Sequence, residues 1–196
     1  MNTAIYFVRH GDSPKYGDER SRGLTSRGKM DTAQVTSCLI NEGIDAIFSS
    51  PYERAIQTVQ PLADSLGKKV IVREDLKERI FTQAGNRLSD QELLPLLEQS
   101  FSNPSFQLEG AESNFDCQNR AVGVINEMLE HFKGQKIVVG THGAIMTLVM
   151  SYFDEKYDLD FLLGASKPDI YRMVFSEEGF IGVERLWNEK DKLPQS

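Results

Sequence analysis

Cysteine is scarce. The 196 residues hold two, Cys38 and Cys117, far apart and at no spacing that suggests a pair. They read as free thiols, which suits a reducing compartment and no disulfide framework. Long apolar runs are missing too. Nothing approaches the roughly 20 consecutive apolar residues of a membrane-spanning helix, so no membrane partner is expected. The N-terminus has no basic leader, and its short apolar run cannot serve as a signal peptide. The expected location is cytoplasmic. Basic charge is also in deficit, with a formal net charge of −7. A nucleic-acid binder would show a basic patch or stripe, so no nucleic-acid partner is expected. Any anion bound here must be held by a local cluster of cations against the field of the whole chain. Repeats, low-complexity linkers and breaks in composition are absent, which predicts one domain over 1–196.

What is present is an ordinary globular composition, 40% hydrophobic and 26% charged, on a chain long enough for a sizeable core. Ala4–Val8, Ala46–Phe48 and Ile137–Val139 are continuous apolar runs with β-branched residues and no polar alternation. They read as short strands buried on both faces. Ala55, Val59, Leu62 and Leu66 share one face of a helix from about Pro51, and Ala121, Ile125, Met128 and Phe132 one face of a helix from about Glu112. A helix from Ser26 to Asn41 stops at Gly43. Ile170–Phe175 and Phe180–Trp187 read as two further strands turned at Glu178-Gly179. Residues 79–113 are less regular and read as a small helical cap insertion, with a helix near Ser89–Gln99. Strands alternating with helices predict an α/β fold: a three-layer α/β/α sandwich with a largely parallel central sheet and that small helical cap.

Each of the three buried strands runs into a polar stretch: Arg9-His10-Gly11, Ser49-Ser50-Pro51-Tyr52-Glu53-Arg54, and Gly140-Thr141-His142-Gly143. In a parallel sheet these ends share the carboxyl edge, where open α/β sheets bind ligands. Two of the three histidines and two arginines would meet there. Ser50 suits a helix cap, Pro51 the first helical position and Glu53 a capping box. Arg54 then lies in the first turn, where a cation is unfavourable unless it reaches an anion. Thr141 suits a second cap, putting His142 at another helix N-terminus. Arginines, imidazoles and helix ends together describe a phosphate pocket. His131, at a helix C-terminus, reads instead as a favourable dipole contact.

These residues resemble the histidine phosphatase superfamily, the phosphoglycerate-mutase-like proteins. Arg9-His10-Gly11 is similar to the family's signature, Ser49-Ser50-Pro51 through Arg54 and Thr58 to its second block, and Gly140-Thr141-His142-Gly143 to its third. Leu76-Lys77-Glu78-Arg79 is similar to the segment that carries its acid. The resemblance implies that His10 is the nucleophile and forms a phosphohistidine. It implies that Arg9, Arg54 and His142 bind the phosphoryl oxygens, with Ser13 in reach of one. Glu78 would protonate the leaving alcohol and later activate water, which requires a pKa well above the ordinary value of about 4.3. Otherwise Glu78 is one charge in the solvated run Arg73 to Arg79. Glu112 resembles a later family element or caps the long helix.

The implied activity is a metal-independent phosphatase of small phosphomonoesters, with no cofactor and with the phosphomonoester as its partner molecule. The alternatives are a mutase-type phosphoryl transferase and a non-catalytic phosphate-binding module. The chain departs from many relatives at Ile80-Phe81-Thr82-Gln83 and at Tyr16, both expected on the substrate side of the pocket. Lys15, Arg20 and Arg22 read as a solvated loop, or as partners for further substrate charge. Gly23 to Met30 nearly matches a phosphate-binding P-loop but lacks the magnesium-binding hydroxyl and a preceding strand, so it reads as a loop and helix cap. His10-x-Asp12 has no further ligand cluster, and nearby arginines would repel a metal.

Overall fold

The computed structural model describes residues 1–188. Its strands are β1 (Thr3–Arg9), β2 (Ala46–Ser49), β3 (Val70–Val72), β4 (Lys136–Thr141), β5 (Asp169–Ser176) and β6 (Gly179–Arg185). They form one sheet in the order β3-β2-β4-β1-β5-β6. The first four run parallel, β5 pairs antiparallel with β1, and β6 pairs antiparallel with β5. The α-helices are α1 (Ser26–Leu39), α2 (Glu53–Ser65), α3 (Asp90–Ser102), α4 (Asn114–His131), α5 (Gly143–Phe153) and α6 (Leu159–Gly164). This is the expected α/β class with a largely parallel sheet.

Every residue of β1 is buried, as a strand covered on both faces requires. Its side chains alternate between two cores. Ile5 and Phe7 join Ile137, Val139 and Met173 against α4 and α5. Ala4, Tyr6 and Val8 join Ile47, Val138 and Ile170 against α1 and α2. The period-two pleat of one strand thus feeds both outer layers.

Several boundaries differ from the sequence expectation. The first helix ends at Leu39 rather than Asn41, and the last strand ends at Arg185, leaving Trp187 buried in the core beyond it. The long helix begins after Ser113, whose hydroxyl accepts from Asp116 N while the Asp116 carboxylate accepts in return; Glu112 instead pairs with Arg120 at 2.7 Å. β3 and α6 lie outside the sequence expectation. One is a three-residue edge strand with Ile71 and Val72 half exposed, and the other has six residues, too short for a helical period to register. Within 79–113 the helix is α3, capped reciprocally by Ser89 and Glu92. The rest is irregular, with Asn86 bridged to Asp18.

Candidate active site

The parallel register brings the strand ends together: Arg9 lies opposite Thr141, and Ser49 opposite Gly140. The pairing continues one residue past the strands. His10 N donates to Thr141 O at 3.0 Å and Ser50 N to Gly140 O at 2.9 Å. The backbones under both histidines are therefore fixed by the sheet.

His10 is 6% exposed and His142 fully buried; their rings stand edge to face with centroids 5.2 Å apart. His10 Nδ1 lies 2.7 Å from the Gly11 carbonyl. A carbonyl only accepts, so Nδ1 carries the proton and Nε2 keeps a free lone pair. Gly11 N donates to Thr58 Oγ1, whose hydroxyl donates to Arg54 O, tying this loop to the first turn of α2. Burial pushes the pKa of His10 well down, and the charges of Arg54, Lys167 and Arg9 add to it. His142 is pushed the same way by burial, then by Arg54, with His10, Arg22 and Arg9 contributing less. Both imidazoles are neutral near pH 7.

Two capping expectations are overturned here. α2 starts at Glu53 with Tyr52 as its N-cap and no side-chain cap bond, and Glu53 accepts from Gln57 rather than closing a capping box. The Ser50 hydroxyl is used elsewhere, 2.7 Å from His142 Nε2, while accepting from Tyr52 N. Thr141 ends β4, and His142 is the N-cap of α5, again with no side-chain cap bond of its own. The first turn of α5 is capped from a distance by Glu78. Its Oε2 accepts from Ala144 N at 3.2 Å and its Oε1 from Ile145 N and Arg79 N, both at 2.9 Å. Oε1 thus has two donors and Oε2 one, which leaves Oε2 the oxygen with room for a proton.

Arg9 donates from Nη1 to Ala165 O at 2.7 Å, in the loop after α6. A Cβ on Gly143 would lie 2.7 Å from Arg9 Nη2 and 2.8 Å from Leu162, so only glycine lets the arginine pass. Arg54 donates to Glu19 O at 2.5 Å and to Glu19 Oε2 at 2.7 Å, and its guanidinium carbon stands 5.0 Å from the Tyr52 ring centroid. Burial pushes its pKa down to about 10. Among the described residues, Arg9 Nε, Arg54 Nε and His142 Nδ1 are buried with no hydrogen-bond partner.

All of this borders one cavity of about 860 Å³. His10, Arg9, Arg54, Ser13 and Glu78 line it directly; His142 stands behind His10, with the neighbouring Gly143 and Ala144 in the wall. Eight arginine and lysine side chains face five carboxylates around the cavity, a local surplus of cations in a chain of net charge −7. Among the described residues, no group of three His, Cys, Asp or Glu side chains comes together in a way that could hold a metal ion.

Ser13 is in the wall, but its hydroxyl donates to Gly23 O at 2.7 Å and accepts from Arg22 at 2.8 Å. Arg22 is not part of a solvated loop. Its side chain is 9% exposed and grips Glu19 with Nη2 at 2.9 Å. Lys15 and Arg20 do lie in solvent, paired with Asp90 and Glu74. Ile80 to Gln83 line the cavity as expected, whereas Tyr16 is 77% exposed and outside it. The near P-loop is a helix start, with Thr25 capping α1 through Gly28 N. Sequence alone does not single out Glu19, which bridges Arg22 and Arg54, or Lys167, which enters the cavity from the loop before β5.

Residues 5–188 match the family model of the histidine phosphatase superfamily (branch 1). The chain is 27% identical over 154 residues to phosphoglycerate mutase-like protein 4 of Arabidopsis thaliana, covering 72% of this chain and 67% of that one. It is 26% identical over 148 residues to phosphoserine phosphatase 1 of Hydrogenobacter thermophilus, covering 70% of each. Among solved structures, phosphoserine phosphatase of Entamoeba histolytica in complex with 3-phosphoglyceric acid superposes with a TM-score of 0.78 at 20% identity, over 95% of this chain and 98% of that one. Mycobacterial glucosyl-3-phosphoglycerate phosphatase with VO3 also gives 0.78, at 16% identity over 93% and 97%.

Proposed function

The chain belongs to the histidine phosphatase superfamily, and from that premise we propose that it hydrolyses small phosphomonoesters through a phosphohistidine, without a metal. The observation that carries this reading is the histidine pair: two buried, neutral imidazoles 5.2 Å apart, both under the charges of Arg9 and Arg54, with the His10 proton held on Nδ1 by Gly11 O.

His10 Nε2 attacks phosphorus as the P–O bond to the leaving alcohol breaks. Arg9, Arg54 and His142 spread the charge of the flying phosphoryl group. The unpaired buried Nε–H groups of Arg9 and Arg54 are donors an anion would satisfy, and His142 Nδ1 joins them if its Nε2 accepts from the Ser50 hydroxyl. Glu78, protonated at Oε2, gives its proton to the departing oxygen. Water then attacks phosphorus, Glu78 takes that water's proton, and the P–N bond breaks to release inorganic phosphate and restore His10. Positive surroundings also disfavour a resident metal cation. We further read 79–113 as a cap over the substrate end of a single domain.

The test is turnover of p-nitrophenyl phosphate in EDTA by wild type and His10→Ala. A loss of at least about 10³-fold is expected, together with an acid-labile phosphoenzyme that vanishes in the variant. Equal turnover by the two proteins would end the reading. One observation favours a second reading, a phosphate-binding module with no working acid: the Glu78 carboxylate is already engaged by three backbone N–H groups. Poor leaving groups separate the two. If wild type binds an alkyl phosphate but turns over none, as Glu78→Gln would, the second reading holds.

A further inference from the structure

We propose that Lys167 is a specificity-determining residue that receives a second, singly charged anionic group on the substrate, a carboxylate, beyond the transferring phosphoryl group. This rests on the phosphomonoester reading of the same cavity.

The first observation is commitment. Of the cavity's cations outside the histidine end, Lys15 and Arg87 pair with Asp90, Arg20 with Glu74 and Arg22 with Glu19, while Arg79 donates to Phe106 O. Among the described residues, nothing hydrogen-bonds or ion-pairs with the Lys167 ammonium, though it lines the cavity.

The second is presentation. The loop that carries Lys167 is pinned on both sides. Ser166 N donates to Asp169 Oδ2 at 2.8 Å, and Ser166 Oγ donates to Pro168 O at 2.6 Å. Asp169, fully buried, also accepts from Arg185 Nη2 at 2.8 Å and from the Tyr171 hydroxyl at 3.0 Å. Arg9 holds Ala165 O. A rigid loop thus offers one free ammonium, which limits the ordering cost of binding.

The third is position. β5 is antiparallel to β1, with Asp169 opposite Arg9, so its leading loop arrives at the edge that carries His10. Lys167 is influenced by Arg9 and Arg22 at the histidine end and by Arg87 and Asp90 at the cap end. Lys167 lines the same cavity as His10 and the α3 residues Leu93 and Leu94, so a substrate reaching from one to the other would share that space with it. Desolvation and the three arginines hold the Lys167 pKa down to about 8, with Asp90 the facing carboxylate; a bound anion relieves that repulsion. Charge closes the argument. The lining carries three more cations than carboxylates. A phosphomonoester dianion balances two of these, which leaves positive charge in the lining for a further anionic group, and the single uncommitted ammonium matches a singly charged one.

The probes are 3-phosphoglycerate and glycerol 3-phosphate, which share a skeleton and differ in carboxylate against alcohol. Binding is read by calorimetry on the full chain carrying His10→Ala, so that turnover does not consume the ligand. The expected result is a preference of about tenfold for 3-phosphoglycerate, the scale of one hydrogen bond to a charged group. Adding Lys167→Met should abolish that preference while shifting glycerol 3-phosphate by less than about threefold; Lys167→Arg should keep most of it. Absence of preference, absence of binding, or equal weakening of both probes by Lys167→Met overturns the proposal. The last outcome would assign Lys167 to the phosphoryl group itself. Failure of the phosphatase reading shows separately, in the p-nitrophenyl phosphate assay, and leaves this ratio readable.

Discussion

The two ends of the cavity are built differently. At the histidine end, the side chains spring from strand termini whose backbones pair across the sheet, His10 to Thr141 and Ser50 to Gly140. At the cap end, Ile80 to Leu88 are irregular, and α3 is tied to the loop after β1 by the exposed pair Lys15–Asp90. Exposed pairs contribute about 0–1 kcal/mol each. Phosphoryl chemistry tolerates little misplacement of its groups, and in the function proposed above it would use the stiff part. Under the same proposal, contacts to the rest of the substrate would come from Lys167 on its pinned loop and from the cap end, where the chain can be reshaped without disturbing the sheet.

The largest effect that sharpens this contrast is expected from Arg54→Ala, which should lower kcat/KM on p-nitrophenyl phosphate by about 10²–10³. Arg87→Ala at the cap end should lower it by less than about threefold, as a half-solvated pair implies. Comparable losses from the two would break the contrast. Next is Gly143→Ala. The added methyl meets Arg9 Nη2 at 2.7 Å, so the guanidinium must shift. A fall of about tenfold or more in kcat/KM is expected with little change in melting temperature.

The pH dependence of stability comes third. Both cavity histidines have folded-state pKa values below the unfolded value of about 6.5. Below pH 6.5 the unfolded chain therefore binds protons that the folded chain refuses. Stability from these groups is fully present above pH 6.5 and is lost as pH falls toward the folded values. The slope is up to about 1.4 kcal/mol per pH unit for each histidine. Chemical denaturation from pH 7 to 5 should show it, and His142→Gln should flatten it. An unchanged slope would mean that the imidazole is not buried neutral. The smallest effect belongs to the cap. Leu94, 40% exposed on α3 and facing the cavity, should when changed to Ser raise KM for a bulky apolar aryl phosphate by about threefold, through lost apolar contact, and leave phosphate inhibition unchanged.

The same contrast governs what was legible. His10, Arg54 and His142 could be read from the sequence because each follows a buried apolar run, and parallel strands send their carboxyl ends to one edge. The fold class followed from the same runs. Lys167 was hidden because it precedes its strand rather than following it; only the antiparallel sense of β5 delivers it. Ser50 looked like a cap because capping is a local habit of serine, whereas its contact with His142 spans 92 positions of sequence. Glu78 caps a helix 66 residues away, a pairing that no local pattern encodes. Arg22 resembled its solvated neighbours in composition and differs in burial alone.

The central placement of β1 has a consequence for biosynthesis. Its neighbours on either side are β4, where Ile5 meets Ile137, and β5, where Phe7 meets Tyr171. Both leave the ribosome more than 130 residues after it. At about 5–20 residues per second, the wait is on the order of ten seconds. During that time an apolar, β-branched segment has neither edge satisfied and offers itself to any other nascent chain. The middle strand of the sheet is thus the first to be made and among the last to have both its edges covered.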